Sequence, residues 1–277
     1  MKKVIIITGC STGIGRELAF RMNSLGWTVA ATARHIAMLE PLREAGCLTF
    51  TLDVTITDQI DRVIREILEQ TGRIDMLVNN AGYGLIMPLM DIPADELERQ
   101  FRTNVTGTLE LIRKVAPVMK KQGSGTIVNM GSISGIAPTP FAGSYCASKA
   151  AIHAWSDVLR MELKPFGITV VTLQPGGIAT DFGKNSSENV ARLMNPGSWY
   201  NTIREFIFTR ANTSQESATP VDVFVDRLVR KINIPHPPAI IRIGKRSLIL
   251  PFLKRWIPVR MLDSMMMKKY GLDRLRN

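Results

Sequence analysis

Short runs of β-branched and other apolar residues recur along this chain, separated by stretches whose apolar positions repeat at helical spacing. Val4–Thr8, Thr28–Thr32, Leu48–Leu52, Met76–Val78, Thr126–Met130, Thr169–Leu173 and Ile240–Ile243 read as strands. Ile14, Leu18, Met22 and Leu25 fall at i, i+4, i+8 and i+11, one stripe of a helix that Gly26 closes. Ile60, Val63, Ile64, Ile67 and Leu68 mark a second helix, ending at Gly72. Continuously apolar strands are buried on both faces, and strand–helix alternation calls for right-handed crossovers. The pattern predicts a single α/β domain over residues 1–277. Its expected form is a doubly wound parallel sheet of about seven strands with helices on both faces.

Two segments break the alternation. Residues 177–219 mix Asn, Ser and Gly with Phe182, Trp199, Tyr200, Phe206 and Phe208. A connection of that length is commonly disordered or a functional lid, and its aromatics favour a lid over something apolar. Residues 220–246 return to a last helix and strand. Residues 247–277 then interleave large apolar and basic side chains, as in Leu253-Lys254-Arg255-Trp256. Charge changes the picture only here: of the net +11, residues 239–277 carry +8, from ten Lys/Arg against two Asp. The basicity belongs to the tail and not to the fold. Two readings of the tail stay open, a helix lying in a membrane interface and one packing on the protein or a neighbouring subunit. Nucleic-acid binding is not expected, since no recognised module for it occurs.

With 45% hydrophobic and 21% charged residues the composition is that of an ordinary globular protein. Cys10, Cys47 and Cys146 are too few and too scattered for a disulfide framework or a metal pair. His35, His153 and His236 lie at spacings that suit no zinc site, so no metal is expected. Met1-Lys2-Lys3 before Val4–Ile7 mimics the start of a signal peptide, but the apolar run stops at Thr8-Gly9. No run approaches the roughly 18–20 residues of a membrane span. The expectation is a cytoplasmic protein, with peripheral membrane contact through 247–277 as the open question.

The first strand runs into Thr8-Gly9-Cys10-Ser11-Thr12-Gly13-Ile14-Gly15 and then directly into a helix. Glycines there let the backbone turn tightly and approach a pyrophosphate, whose charge the helix N-terminus favours. Strand before and helix after make nucleotide binding the better reading of Gly9, Ser11, Thr12, Gly13, Ile14 and Gly15 than a bare turn. An acid about 20 residues on would hold a ribose diol. Instead the second strand ends Ala31-Thr32-Ala33-Arg34, with no acid before Glu40. A guanidinium grips a 2′-phosphate where a carboxylate would repel it, so Arg34 predicts NADP(H); the bland alternative is a solvated surface arginine.

Tyr145-Cys146-Ala147-Ser148-Lys149 places Tyr145 and Lys149 on one helix face. A free phenol titrates near ~10, and a neighbouring ammonium draws that value toward the range of acid/base catalysis. Ser132 follows a strand at the carboxyl edge, where open α/β sheets bind ligands, and can donate to a substrate carbonyl. Alone, such a pair is more often a surface accident. The glycine turn and the serine in the right order change that weighing.

On these motifs, together with Asn79-Asn80-Ala81-Gly82, Asn104, Pro175-Gly176 and Thr180, the sequence resembles the short-chain dehydrogenase/reductase family over residues 4–180. The resemblance implies a Rossmann-like dinucleotide-binding core in residues 1–176 that also carries the catalytic residues. It implies Tyr145 as proton donor or acceptor and Lys149 as the group that tunes it and holds the nicotinamide ribose. Ser132 would orient the substrate oxygen, and Asn104 would support a water-linked proton relay. Asp53 and Val54 match positions that contact adenine. Asn80, Ala81 and Gly82 match the adenosine side, and Pro175, Gly176, Ile178 and Thr180 the nicotinamide side. Gly177, where a bulkier residue is commoner, is expected to loosen the start of the lid. The resemblance also implies a homodimer or homotetramer through helices near 95–120 and 145–165.

Tyr83, Leu85, Ile86, Met87, Ile133, Ile136, Pro138 and Phe141 suggest an apolar wall with no cluster of arginines for an anion; the alternative is that they simply pack the core. The expected substrate is a hydrophobic carbonyl or alcohol: an aldehyde, a ketone, or a lipid- or steroid-like molecule, acted on by a carbonyl reductase. The rival is a catalytically idle dinucleotide sensor or scaffold. His153, Cys10 and Cys146 are expected to pack and not to react.

Overall fold

The computed structural model describes residues 2–213, 215 and 218–275. Met1, three residues of the 177–219 segment (Ser214, Glu216, Ser217), and Arg276 and Asn277 of the basic tail lie outside the described residues.

The strands β1 (Val4–Thr8), β2 (Thr28–Ala33), β3 (Leu48–Thr51), β4 (Met76–Asn79), β5 (Gly125–Met130), β6 (Ile168–Pro175) and β7 (Ile240–Ile243) form one sheet. Its order is β3-β2-β1-β4-β5-β6-β7, and every pairing is parallel. The helices are α1 (Gly13–Ser24), α2 (Glu40–Glu44), α3 (Thr57–Thr71), α4 (Ala94–Phe101), α5 (Gly107–Gln122) and α6 (Gly143–Leu163). They continue with α7 (Phe182–Leu193), α8 (Arg204–Asn212), α9 (Val221–Ile232), α10 (Ile249–Trp256) and α11 (Val259–Lys269).

The two faces of the sheet explain why the strands read as unbroken apolar runs. Ile5 and Ile7 of β1 point toward α1 and α9, into a core with Leu18, Met22, Phe224 and Leu228. Val4 and Ile6 point the other way, toward α3 and α5, against Ile60, Ile64, Leu111 and Val115. Alternate residues therefore serve opposite cores, and neither set can be polar. At the end of α3, Gly72 takes a left-handed φ of 70° and donates its N–H to the Leu68 carbonyl, which stops the helix where expected.

The chain turns from β1 toward β2 and β3, then crosses back to place β4 on the other side of β1. The loops that leave the carboxyl ends of β1 and β4 therefore run in opposite directions, which opens a crevice at that edge.

Residues 177–219 are more regular than their composition suggests. Among the described residues they contain α7 and α8, which build a third core with the β5–α6 loop. Ile203, Ile207 and Ala211 form its stripe at i, i+4 and i+8, packed against Ile86, Phe141, Cys146, Val190 and Tyr270. Gly177 is not a loose point. Its N–H donates to the Lys245 carbonyl at 3.1 Å and its carbonyl accepts from Thr219 N–H at 3.0 Å, so both sides of the backbone are tied.

The tail packs only in part. Leu262 and Tyr270 are buried, and Tyr270 meets Phe141 edge-on at 6.5 Å between centroids. No residue of α10 is buried. Among the described residues no helix is long and apolar enough to cross a membrane.

Phe224 is wholly buried between α9 and the sheet. Phe224→Ala is expected to cost about 3–5 kcal/mol of unfolding free energy. A denaturant midpoint that moves down with an unchanged slope would bear this out; an unmoved midpoint would contradict the packing described.

Candidate active site

The glycine turn sits over the crevice between β1 and β4. Gly9 has φ 73°, and a Cβ on Gly15 would run into the Gly9 carbonyl and come within 2.6 Å of Asn80 Nδ2. Thr12 precedes α1 without a side-chain cap, so the helix's first N–H groups are not claimed by it. Turn and helix together leave a backbone-lined hollow of the kind a pyrophosphate fits. Ser11, Thr12, Gly13 and Ile14 are half-buried along it. Thr180, from the β6–α7 loop, approaches the same hollow, with Cγ2 3.3 Å from where a Gly13 Cβ would lie.

Asn80 clamps this turn. Its Nδ2 donates to the Thr8 and Gly9 carbonyls at 2.8 and 3.1 Å. The N–H groups of Asn80 and Ala81 donate to Thr8 Oγ1 at 3.0 and 2.9 Å.

Arg34 is exposed at the end of β2, and its guanidinium takes no partner among the described residues. A second guanidinium that the sequence reading passed over borders the same loop: Arg16 Nη2 donates to the Met38 carbonyl at 3.2 Å. The donor set fits a dinucleotide with an anionic group at its adenosine end. Asp53 turns its carboxylate onto Thr55, at 2.9 Å from the N–H and 2.7 Å from Oγ1, while Val54 is buried. Ile178 places its side chain in the core beside α9, so it can offer a ligand only backbone. Pro175 and Gly176 end β6, and the Gly176 N–H donates to the Ile243 carbonyl.

Asn104, Ser132, Tyr145 and Lys149 converge at the carboxyl edge. Asn104 lies in a single π-helical turn, Arg102–Thr106, between α4 and α5, an insertion that often marks a functional position. Its Oδ1 accepts from Tyr83 N–H at 3.0 Å. Its Nδ2 donates to the Tyr83 carbonyl at 2.9 Å and to Ser148 Oγ at 3.1 Å. Asn104 thus ties the β4–α4 loop to α6. A Cβ on Gly82 would come within 3.0 Å of Asn104 Oδ1 and 3.7 Å of Lys149 Nζ, so the glycine keeps a gap open between them.

Burial governs the two titrating groups. It pushes the Tyr145 hydroxyl up to about 12, with Ser132 pulling weakly the other way through a hydrogen bond. It also pulls Lys149 down to about 8. Lys149 Nζ donates to the Met130 carbonyl at 2.7 Å and lies 5.8 Å from the centre of the Tyr145 ring. Desolvation of the phenolate is the largest influence on Tyr145. Phe182, the first residue of α7, stacks obliquely on Tyr145 at 5.3 Å.

Two residues have more part in the site than the sequence suggested. His153 Nε2 accepts the Ser132 N–H at 3.3 Å, and its ring occupies the space that Gly131 and Gly135 leave free. Burial and then Lys149 hold it down to about 4, so the ring is neutral and can accept. Arg210 of α8 is only 8% exposed; its Nε donates to Thr139 Oγ1 at 2.7 Å, and its charge reaches both Tyr145 and Cys146. No carboxylate among the described residues pairs with it. His153 lies one helical turn past Lys149, a spacing visible in the sequence, but its contact with Ser132 is not, and no spacing announces Arg210.

Of the proposed apolar wall, Leu85, Ile86 and Met87 are fully buried and serve packing. Cys10 and Cys47 are pushed up to about 12 and about 11 by burial, and Cys146 is raised as well, which leaves three poor nucleophiles. Among the described residues no group of His, Cys, Asp or Glu could hold a metal.

A parallel sheet with a glycine turn at its switch point and Ser132, Tyr145 and Lys149 on the same edge defines an oxidoreductase of the dinucleotide-binding class. The chain belongs to the short chain dehydrogenase family, whose model matches residues 3–191. The uncharacterized oxidoreductase YbbO of Escherichia coli (strain K12) is 37% identical over 200 residues, 71% of this chain and 74% of that protein. The NADPH-dependent 1-acyldihydroxyacetone phosphate reductase of Saccharomyces cerevisiae is 31% identical over 287 residues, spanning 100% of this chain and 94% of that protein. The crystal structure of a short-chain dehydrogenase from Streptomyces avermitilis superposes with a TM-score of 0.80 at 26% identity, covering 99% of this chain and 98% of that one.

His153 supplies a test by pH. Its folded value of about 4 lies below the ~6.5 of an unfolded histidine, so the unfolded chain takes up its proton first. The stability it contributes is complete above about pH 6.5 and is lost as pH falls toward 4. Denaturant unfolding at several pH values is expected to show this acid loss, flattened in His153→Gln. Parallel losses in both proteins would contradict a buried, neutral imidazole.

Proposed function

We propose that the protein is an NADP(H)-dependent reductase of hydrophobic carbonyl compounds, working as a homo-oligomer. The observation that carries this is the meeting of Ser132, Tyr145 and Lys149 at the edge below the glycine turn, with Arg34 exposed and unpaired beside it.

Gly9–Gly15 and the start of α1 would hold the pyrophosphate, Arg34 the 2′-phosphate, and Lys149 the nicotinamide ribose. The bound nicotinamide supplies a hydride to the substrate carbon. Tyr145, held protonated by burial, gives its proton to the carbonyl oxygen. Ser132 Oγ accepts the Ser134 N–H at 3.1 Å, which leaves its own hydrogen free to point at that oxygen. Asn104 and Lys149, facing one gap beside Gly82, would support a water-linked relay through which a replacement proton reaches Tyr145. In the oxidation of an alcohol the same groups would run in reverse, with Tyr145 taking up the proton.

Phe182 borders the space in front of Tyr145, and α7 and α8 would act as its lid. Arg210 adds one cation, which suits an apolar ketone that also bears an anionic group. The yeast relative is named for such a substrate, an acylated ketone carrying a phosphate. Exposed Val158 and Met161 on α6 suit the subunit contact. An idle sensor would have no use for a serine held by His153 and aimed at a buried tyrosine.

The test is NADPH oxidation by the full chain across neutral and anionic apolar ketones. Tyr145→Phe is expected to lower kcat by about 10²–10⁴ and to leave NADPH affinity nearly unchanged. Arg34→Ala is expected to weaken NADPH about tenfold or more with little effect on NADH. Arg210→Met should raise KM for the anionic ketones alone. Tight NADPH binding with no turnover of any ketone would favour the sensor reading instead.

A further inference from the structure

The tail leaves the sheet at the edge that carries the site. β7 ends at Ile243, and Lys245 then pairs with Gly177 beside the end of β6. From there α11 and the residue after it return to the third core through Met266 and Tyr270, whereas α10 is left without cover. Leu248, Ile249, Phe252, Trp256, Val259 and Met261 are all more than half exposed, with Phe252 at 61% and Trp256 at 66%. Phe252 and Trp256 stack at 6.2 Å, so they form one ridge. Large aromatic and aliphatic side chains gathered this way are unusual on a surface that meets only water.

The charges around this ridge are of one sign. Lys245, Arg246, Lys254, Arg255 and Arg260 lie within it or at its ends, and no acid occurs between residues 240 and 262. No carboxylate among the described residues pairs with any of them. Arg255 lies 5.8 Å from the Trp256 ring, an aromatic and a cation side by side. A two-fold contact of this face with itself would set like charges against like, which argues against a second copy as the occupant. Anionic lipid headgroups match the basic rim, and acyl chains match the apolar centre. A helix of 8 residues, at 1.5 Å each, is too short to span a bilayer and can only lie in its surface.

We propose that α10 and the first turn of α11 form a docking surface for an anionic phospholipid bilayer. Docking by this face brings the carboxyl edge of the sheet, and the cleft before Tyr145, toward the membrane. The rim on that edge carries further exposed apolar residues, Leu89, Met90 and Trp199, in segments joined by the 2.6 Å hydrogen bond from Ser198 to Asp91. The proposal does not depend on which carbonyl is reduced.

The experiment is sedimentation of the full chain with vesicles of phosphatidylcholine alone and of phosphatidylcholine mixed with phosphatidylserine. Binding is expected on the mixed vesicles and to weaken with salt. Phe252→Ser with Trp256→Ser should lower it about tenfold or more. Lys254→Glu with Arg255→Glu should abolish it by charge alone. All four residues are away from the site, so NADPH affinity serves as the check that each variant is folded. No binding, or equal binding to both vesicle types, would overturn the proposal. So would a wild-type dimer in vesicle-free buffer that the Phe252/Trp256 variant loses, since the face would then belong to a second copy.

Discussion

At the carboxyl edge of a parallel sheet the loops leaving neighbouring strands have to be held together, and here a buried polar clamp does it. Thr8 Oγ1 accepts two N–H groups from the end of β4, and Asn80 returns its amide to the carbonyls of Thr8 and Gly9. The clamp fixes the glycine turn on one side of the crevice to the loop that lines the other. From the π turn between α4 and α5, Asn104 grips Tyr83 of that loop and reaches Ser148 on α6, one residue before Lys149. A second chain, from Asn79 to Asn129 to Ser156, ties β4 and β5 to the same helix. Such networks are costly unless nearly complete, and once complete they fix a single arrangement.

Holding the site this way also dries it, and drying sets its chemistry. A phenol and an ammonium buried side by side drift toward their neutral forms, Tyr145 upward and Lys149 downward. The resting state suits a proton donor better than an acceptor. His153 follows the same logic: a neutral imidazole can accept the Ser132 N–H, and a protonated one could not. The enzyme chemistry thus follows from exclusion of water at one edge as much as from the identity of the three side chains.

Much of the frame is legible in the residues because it depends on local period. The strand limits read from apolar runs lie within a residue or two of those observed, since strands buried on both faces tolerate no polar interruption. Tyr145 and Lys149 are legible for the same reason, as helical spacing alone puts them together. The lid was harder to see: Asn and Ser hide the stripe of Ile203, Ile207 and Ala211, which gains meaning only from the core it meets. Ile178 is legible as a position but not as an orientation, since its side chain packs into the core beside α9. His153, four residues after Lys149 on α6, is visible by helical spacing but not its bond to Ser132, and Arg210 has no local signature.

The central claim is that burial, more than the neighbouring lysine, sets the state of Tyr145. Ultraviolet difference titration of the full chain and of Tyr145→Phe separates this phenol from the other three tyrosines. At pH about 10, where an ordinary phenol is half ionised, the difference between the two proteins is expected to be negligible, with ionisation of Tyr145 delayed toward 12. A tyrosinate signal that Tyr145→Phe removes at or below that pH would mean Lys149 outweighs burial, and would contradict this account of the site.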